Sequence, residues 1–396
     1  MTAHRCPACG GASMRVFHEE ASVPVNSCLL LEDRAEAEAF PRGTLRLAWC
    51  PGCGFVGNVG FDPARAEYSP RYEETQAFSP RFVDFADRLA KQWVDTYDLH
   101  GRSVLEIGCG KGEFLQMMCE HGVGRGVGID PGVNSERAVG PAAEHITWIT
   151  DFYSQRYAHL EADAVVCRHT LEHIQPVGQF LATLRKAIGR RLDTVVLFEV
   201  PDVVRVLREA AFWDVYYEHC SYFSAGSLAR LFRGSGFEVL DLSLAYDDQY
   251  LLVEARPATA AGGGRHFALE DDLRDLAEAV EHFSARLGER LDHGKAALQR
   301  MASAGGRAVI WGAGSKGVAY LNHLHARGAG GLIEYAVDIN PHKHHRYMAG
   351  TGQQIVPPQF LVAYRPDLVV AMNPIYVEEI QHTLEGLGVD AEVAAL

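Results

Sequence analysis

Residues 104–112 read Val104-Leu105-Glu106-Ile107-Gly108-Cys109-Gly110-Lys111-Gly112, and this stretch decides the fold. An apolar pair, an acid and three glycines at every second position predict a buried strand running into a tight loop. Glycine serves there because only a residue without Cβ takes the loop's backbone angles and lets a ligand touch the backbone. The spacing differs from the dinucleotide fingerprint G-x-G-x-x-G. A helix is expected over about Glu113 to Glu120, then a short strand in Gly126-Val-Gly-Ile-Asp130-Pro131 that ends in an acid. A third strand, Ile146 to Ile149, ends at Asp151-Phe152, and a fourth, Ala162 to Cys167, leads into Arg168-His169-Thr170-Leu171-Glu172-His173. Leu192 to Phe198 reads as a fifth, ending at Glu199-Val-Pro201. Strand, loop and helix repeated with acids at carboxyl ends predict a doubly wound parallel sheet whose ligand sits at those ends. The plain alternative is an α/β domain whose acids only cap helices, and four matches in order weigh against it.

The pattern Glu106-x-Gly108-x-Gly110-x-Gly112 resembles the glycine loop of class I S-adenosylmethionine methyltransferases. The resemblance implies that these residues line the cofactor, that Asp130 holds its ribose, that Asp151 takes the adenine amino group and that Phe152 packs the ring. A carboxylate at such a strand end suits a pair of ribose hydroxyls. His169, Glu172 and His173 then line the methionine end of the cofactor or the substrate mouth, against a plain helix start. His169-x-x-Glu172-His173 also matches a zinc-protease pattern, H-x-x-E-H. That reading fails because the residues follow a sheet strand directly and Pro176 prevents a long metal-presenting helix.

A chain of 396 residues holds two or three domains with separate cores. A formal charge of −14 argues against binding a phosphate backbone, so no nucleic-acid partner is expected. No apolar run reaches membrane-spanning length and the amino terminus lacks a signal pattern, so the expected location is the cytoplasm, with no membrane partner. Nine cysteines, four of them in two C-x-x-C pairs, fit reduced thiols and a metal rather than disulfides. Cys6-Pro-Ala-Cys9-Gly10 and Cys50-Pro-Gly-Cys53-Gly54 are matching knuckles that complete a tetrahedral four-thiolate site for a structural zinc ion. A redox dithiol would need only one pair. Cys28 between them reads as a small buried residue.

The expected units are a zinc-binding module over 1–75, a core over 76–260, a helical linker over 261–303 and a Rossmann-like domain over 304–396. Tyr68 to Phe82 is aromatic and polar without a clean period, a packed linker or a lid whose Tyr68 and Tyr72 hydroxyls reach a ligand. Helical spacing runs from about Phe82 to Tyr97. Phe212-Trp-Asp-Val-Tyr216-Tyr217-Glu218-His219-Cys-Ser-Tyr222-Phe223 is dense in side chains that do proton chemistry. Ser224 caps a helix ending near Gly234, and Phe237 to Leu240 and Tyr250 to Val253 read as closing strands. Gly262-Gly-Gly264 marks the exit, and His266 to Met301 is a long spacer or clamp helix. The tail restarts with Ala308 to Trp311, a Gly312-x-Gly314-x-x-Gly317 turn and Asp338 after a second strand. Asn373 and Tyr376 follow a later strand and are expected to touch substrate. About 90 residues are too few for the two halves that a dinucleotide spans, so the nucleotide end of a substrate is the better guest. His342, Lys343, His344 and His345 read as a solvated loop.

Paired knuckles, a methyltransferase core with Tyr216-x-Glu218-His219 and a small Rossmann-like tail resemble the sugar C-methyltransferases, over nearly the whole chain. The resemblance implies zinc, S-adenosylmethionine and a nucleotide-linked keto-sugar held between core and tail. It places the base on His219, with Glu218 orienting it or holding a sugar hydroxyl and Tyr216 or Tyr222 donating to an enolate oxygen. Tyr217 stands where many relatives carry histidine, which removes a second imidazole. Histidine suits removal of a proton α to a ketone because its pKa lies near neutrality. Two alternatives remain: methylation of oxygen or nitrogen in another small metabolite, and a non-catalytic nucleotide-sugar scaffold. A monomer or homodimer is expected, the latter paired through the long helix.

Overall fold

The structure, a computed structural model, describes residues 4–137, 140–259 and 264–396. Gly262 and Gly263 of the expected exit lie outside them. Among the described residues no helix is long and apolar enough to cross a membrane.

Three sheets build the chain. Strands β1 (Arg15–Pro24), β2 (Arg42–Trp49) and β3 (Val56–Asn58) form an antiparallel sheet near the amino terminus. The central sheet collects β4 (Ser103–Ile107), β5 (Arg125–Ile129), β6 (Ile146–Ile149), β7 (Ala164–Arg168) and β8 (Val195–Pro201). Strand β9 (Ser221–Tyr222) leaves this stretch to join the first sheet, pairing Tyr222 with Val56. Strands β10 (Phe237–Ala245) and β11 (Tyr250–Pro257) then close the central sheet in the order β10-β11-β8-β7-β4-β5-β6. Strands β4 to β8 run parallel, and β11 turns antiparallel against β8. The chain reverses direction of winding beside β4, where open α/β sheets take ligands. The tail sheet is all parallel, with β12 (Ala308–Trp311), β13 (Ile333–Val337), β14 (Gln354–Val356), β15 (Leu368–Ala371) and β16 (Glu392–Ala395) in the order β14-β13-β12-β15-β16.

The strands form where the sequence is continuously apolar, as suits a sheet covered on both faces. Helix Pro80–Thr96 starts after Ser79, whose hydroxyl accepts from Phe82 N, and buries Phe82, Ala86, Leu89, Trp93 and Val94 at helical spacing. Burying each of the larger ones contributes about 1.5–3 kcal/mol. Helix Ala225–Gly234 carries the expected Ser224 cap, closed reciprocally with Ser227. The long helix begins at Leu273, not His266, because Glu270 folds back onto Phe267 N at 3.0 Å and pairs with Arg233. It acts as a clamp. Ser284 donates to Phe17 of the first sheet, Arg290 to Glu209 of the core and Lys295 to Arg327 of the tail.

Candidate functional site

A cavity of about 840 Å³ opens at the carboxyl ends of β4 and β7 and is closed from the far side by the tail. That size is ordinary for small-molecule sites. Its walls are the glycine loop, residues 68–79, the 214–219 segment and the turn after β12.

At one end stand the residues expected to hold the cofactor. Glu106, Gly108, Gly110, Asp130, Asp151, Phe152 and His169 all line the cavity, and Gly112 caps helix Glu113–Glu120 just behind. Asp130 straps the loop: its carboxylate accepts from Gly110 N at 3.1 Å and Gly132 N at 2.6 Å. Glu106 is buried, and its Oε2 has no partner among the described residues. Burial pushes its pKa up to about 8. Asp151 accepts from Phe152 N and the Tyr157 hydroxyl, while Phe152 stays 57% exposed, a free face for a flat ring. His169, in left-handed backbone, places Nε2 2.7 Å from Glu199 and stacks edge-on against Tyr250. Burial alone would raise Glu199, but the Arg168 guanidinium and His169 bring it to about 2. Glu199 and the His169–Glu172 contact at 3.8 Å make the H-x-x-E-H residues a polar wall. These groups fit an adenosyl cofactor: carboxylate acceptors for ribose hydroxyls and the adenine amino group, a flat apolar face and an orphaned carboxylate oxygen lie along one cavity.

Beyond the loop sits His219. It is 6% exposed and lines the cavity, with Tyr216 at 4.0 Å and His173 at 4.8 Å between ring centroids. Neither ring nitrogen has a hydrogen-bond partner among the described residues. Burial first, then the neighbouring His173 and Lys316, hold its pKa well below the usual imidazole value, so the ring is neutral. Tyr216 also faces the cavity, and burial keeps its hydroxyl protonated.

Two expected partners lie elsewhere. Glu218 points away from His219 and is saturated by Asn26 Nδ2, Ser27 N and the Tyr72 hydroxyl, each at 2.9 Å. Tyr222 exchanges hydrogen bonds with the Tyr216 backbone and does not reach the cavity. Glu218 sits in the 217–218 turn and is turned to residues 26–27 and 72, while His219 just after it faces the cavity. Tyr217 likewise turns outward, its hydroxyl accepting from Asp62 N at 2.8 Å, so the departure from histidine there leaves the cavity unchanged. His173 supplies the second imidazole, its Nδ1 2.9 Å from the Tyr68 hydroxyl. The Tyr68 and Tyr72 hydroxyls are therefore engaged with protein, although both rings line the cavity.

The tail wall is cationic. Lys316, inside the glycine turn, reaches Asp214, which also accepts from Arg205 at 2.6 Å. Lys343 is buried and pairs with Asp338 at 3.4 Å, contrary to the expected solvated loop; its neighbour Asp338 would otherwise be an uncompensated buried charge. Asn373 exchanges amide bonds with Gln249 at 2.8 and 3.1 Å, and Tyr376 bonds Tyr246 and Gln76. Sequence reading missed Lys316, Asp214 and Arg205. The signal was a lysine inside a glycine turn and an acid inside the aromatic run.

Remote from the cavity, Cys6, Cys9, Cys50 and Cys53 place all four sulfurs within 4.8 Å of one another. Cys6–Cys53 and Cys9–Cys50 each stand 3.7 Å apart. Tetrahedral zinc–thiolate bonds of about 2.3 Å put sulfurs roughly 3.8 Å apart. The cluster fits zinc. Cys28 is buried and meets Ser315 at 3.3 Å, apart from the cluster.

Residues 53–242 match a methyltransferase domain, and residues 268–390 match the C-methyltransferase C-terminal domain. The chain is 28% identical over 302 residues to C-methyltransferase NovU of Streptomyces niveus, covering 71% of this chain and 68% of that protein. Among solved structures it is similar to 1,6-didemethyltoxoflavin-N1-methyltransferase of Burkholderia thailandensis, crystallised with S-adenosylhomocysteine, at 19% identity and a TM-score of 0.34, over 45% of this chain and 81% of that one. Magnesium protoporphyrin IX methyltransferase of Synechocystis PCC 6803 shows 15% identity and a TM-score of 0.34, over 45% of this chain and 84% of that one.

Proposed function

We propose that this methyltransferase, whose two matched domains are those of a methyltransferase and a C-methyltransferase, methylates a carbon α to the ketone of a nucleotide-linked sugar, with His219 as base. One observation carries this reading: an unpartnered, neutral imidazole stands in the wall of the cavity that the glycine loop also lines.

S-adenosylmethionine, held by Glu106, Gly108, Gly110, Asp130, Asp151 and Phe152, supplies an electrophilic methyl group. His219 takes the proton from the α carbon, and the C–H electron pair moves into an enolate. A base near neutral pKa in its free form suits that transfer. Tyr216, kept protonated, donates to the enolate oxygen. His173 holds its place through Tyr68 and stands edge-on beside the His219 ring. The tail's cations, Lys316 and Lys343, receive the nucleotide phosphates. Zinc bound by Cys6, Cys9, Cys50 and Cys53 would hold the two knuckles together and would supply no chemistry to the cavity.

Incubation in heavy water with nucleoside-diphosphate keto-deoxysugars tests the reading. The expected result is His219-dependent deuterium exchange at one α carbon and, with S-adenosylmethionine, a product heavier by one CH2. Methylation without exchange moves the reaction to oxygen or nitrogen. Metal analysis should find about one zinc per chain, and a chain free of zinc when purified without chelator overturns that assignment.

A further inference from the structure

Tyr72-Glu73-Glu74-Thr75 lies across the glycine loop, and its two acids behave oppositely. Glu73 is satisfied: Arg137 grips both its oxygens at 3.0 and 2.8 Å, and Asn340 of the tail donates at 2.8 Å. Glu74 is not. Its Oε2 is buried without a hydrogen-bond partner among the described residues, and its closest cation is Lys111 Nζ at 3.9 Å. That lysine is spent elsewhere, donating to Tyr72 O at 2.7 Å and Gly132 O at 3.0 Å. A third of the Glu74 side chain is nevertheless open, and Glu74 lines the cavity.

Its other oxygen sits 2.7 Å from where a Cβ on Gly110 would stand, so the carboxylate rests directly on the loop backbone. Glu106, with an orphaned Oε2 of its own, and Asp130 line the same cavity on either side of the loop's start. Buried carboxylates with no cation to meet them are costly; Glu74 and Asp130 share one committed lysine, and the cation acting on Glu106 is Arg168, itself paired with Glu199. Such a cradle is built for a guest that brings positive charge. Burial pushes Glu74, like Glu106, up to about 8, the behaviour of an acid awaiting a counter-ion.

We infer that Glu74 binds the α-ammonium group of the cofactor's methionine moiety, so that a segment outside the central sheet closes this end of the site. The inference rests on the cofactor reading above and adds a residue that the glycine-loop pattern does not contain. Adenosine-end contacts belong to Asp130, Asp151 and Phe152; the amino-acid end belongs to Glu74.

Calorimetric titration of the full chain with S-adenosylhomocysteine and with 5′-methylthioadenosine, which lacks the amino acid, separates the two ends. Glu74→Gln should weaken S-adenosylhomocysteine by about tenfold to a hundredfold, the loss expected of a charged hydrogen bond. It should leave methylthioadenosine unchanged, and Glu73→Gln should spare the difference between the two ligands. Equal losses for both ligands mean that Glu74 only props the loop and overturn the inference. So does an unchanged affinity for S-adenosylhomocysteine. A parent chain that binds neither ligand overturns the cofactor reading itself. Should Glu74→Gln fail to fold, Glu74→Asp decides by the same pair of titrations, since drawing the carboxylate back must cost S-adenosylhomocysteine alone.

Discussion

In the central sheet, the acid after the second strand of the unit, Asp130, accepts from the glycine-loop amide of Gly110 and from Gly132 two residues on. In the tail sheet Asp338 does the same with Ala313 at 2.8 Å and Asn340 at 2.8 Å. The backbone device is shared, yet the side chains around it are opposite in sign. Glu74 and Glu106 crowd the first loop; Lys316 and Lys343 crowd the second. Backbone geometry thus makes a place where a ligand can approach, and the surrounding charge selects its class. Both places and His219 line one cavity.

The comparison breaks first at the shared point. His219→Ala should lower turnover by about a hundredfold to ten-thousandfold, the usual worth of a general base, while calorimetry shows both binding ends intact. A loss of turnover confined to a few-fold removes the imidazole from the chemistry. Next come the ends themselves. Glu106→Gln should weaken S-adenosylhomocysteine by about tenfold and spare a nucleoside diphosphate, whereas Lys343→Met should do the reverse by a similar factor. Crossed effects would show that the two loops do not divide the ligands between them.

Smaller effects sharpen the contrast between loops. Gly317→Ala places a Cβ 2.3 Å from the backbone oxygen of Gly312, so helix and turn must separate. A loss of about 1–3 kcal/mol in stability is expected, read as a lower melting temperature. At Gly110 a Cβ meets the far end of Glu74 and the backbone is left-handed at φ +54°, so Gly110→Ala should lower the melting temperature and cofactor affinity together. The smallest change is Tyr376→Phe, which removes hydroxyl bonds to Tyr246 and Gln76 at the seam between tail and core. About 0.5–1.5 kcal/mol of stability should be lost in denaturant titration, with turnover nearly unchanged.

Much of this was legible in residue order. Glycine spacing, apolar runs and strand-end acids gave the central sheet, and two C-x-x-C turns gave the sulfur cluster. These are local features whose geometry is set within a few residues. The partners of His219 were not legible. Glu218 is adjacent in sequence yet faces Asn26 and Tyr72, while His173 is 46 positions away and stands beside it. The same holds for Glu73 and Glu74, identical letters side by side, one neutralised by Arg137 and one left open to the cavity.

The sequence by itself determined which backbones form loops that can receive a ligand, because glycine and strand periodicity act over short range. Only the tertiary structure decided which charges surround those loops, which face of an extended segment each side chain takes, and that Lys316 arrives opposite His219. Those facts depend on packing between segments far apart in the chain, where burial and electrostatics, not local preference, choose the arrangement.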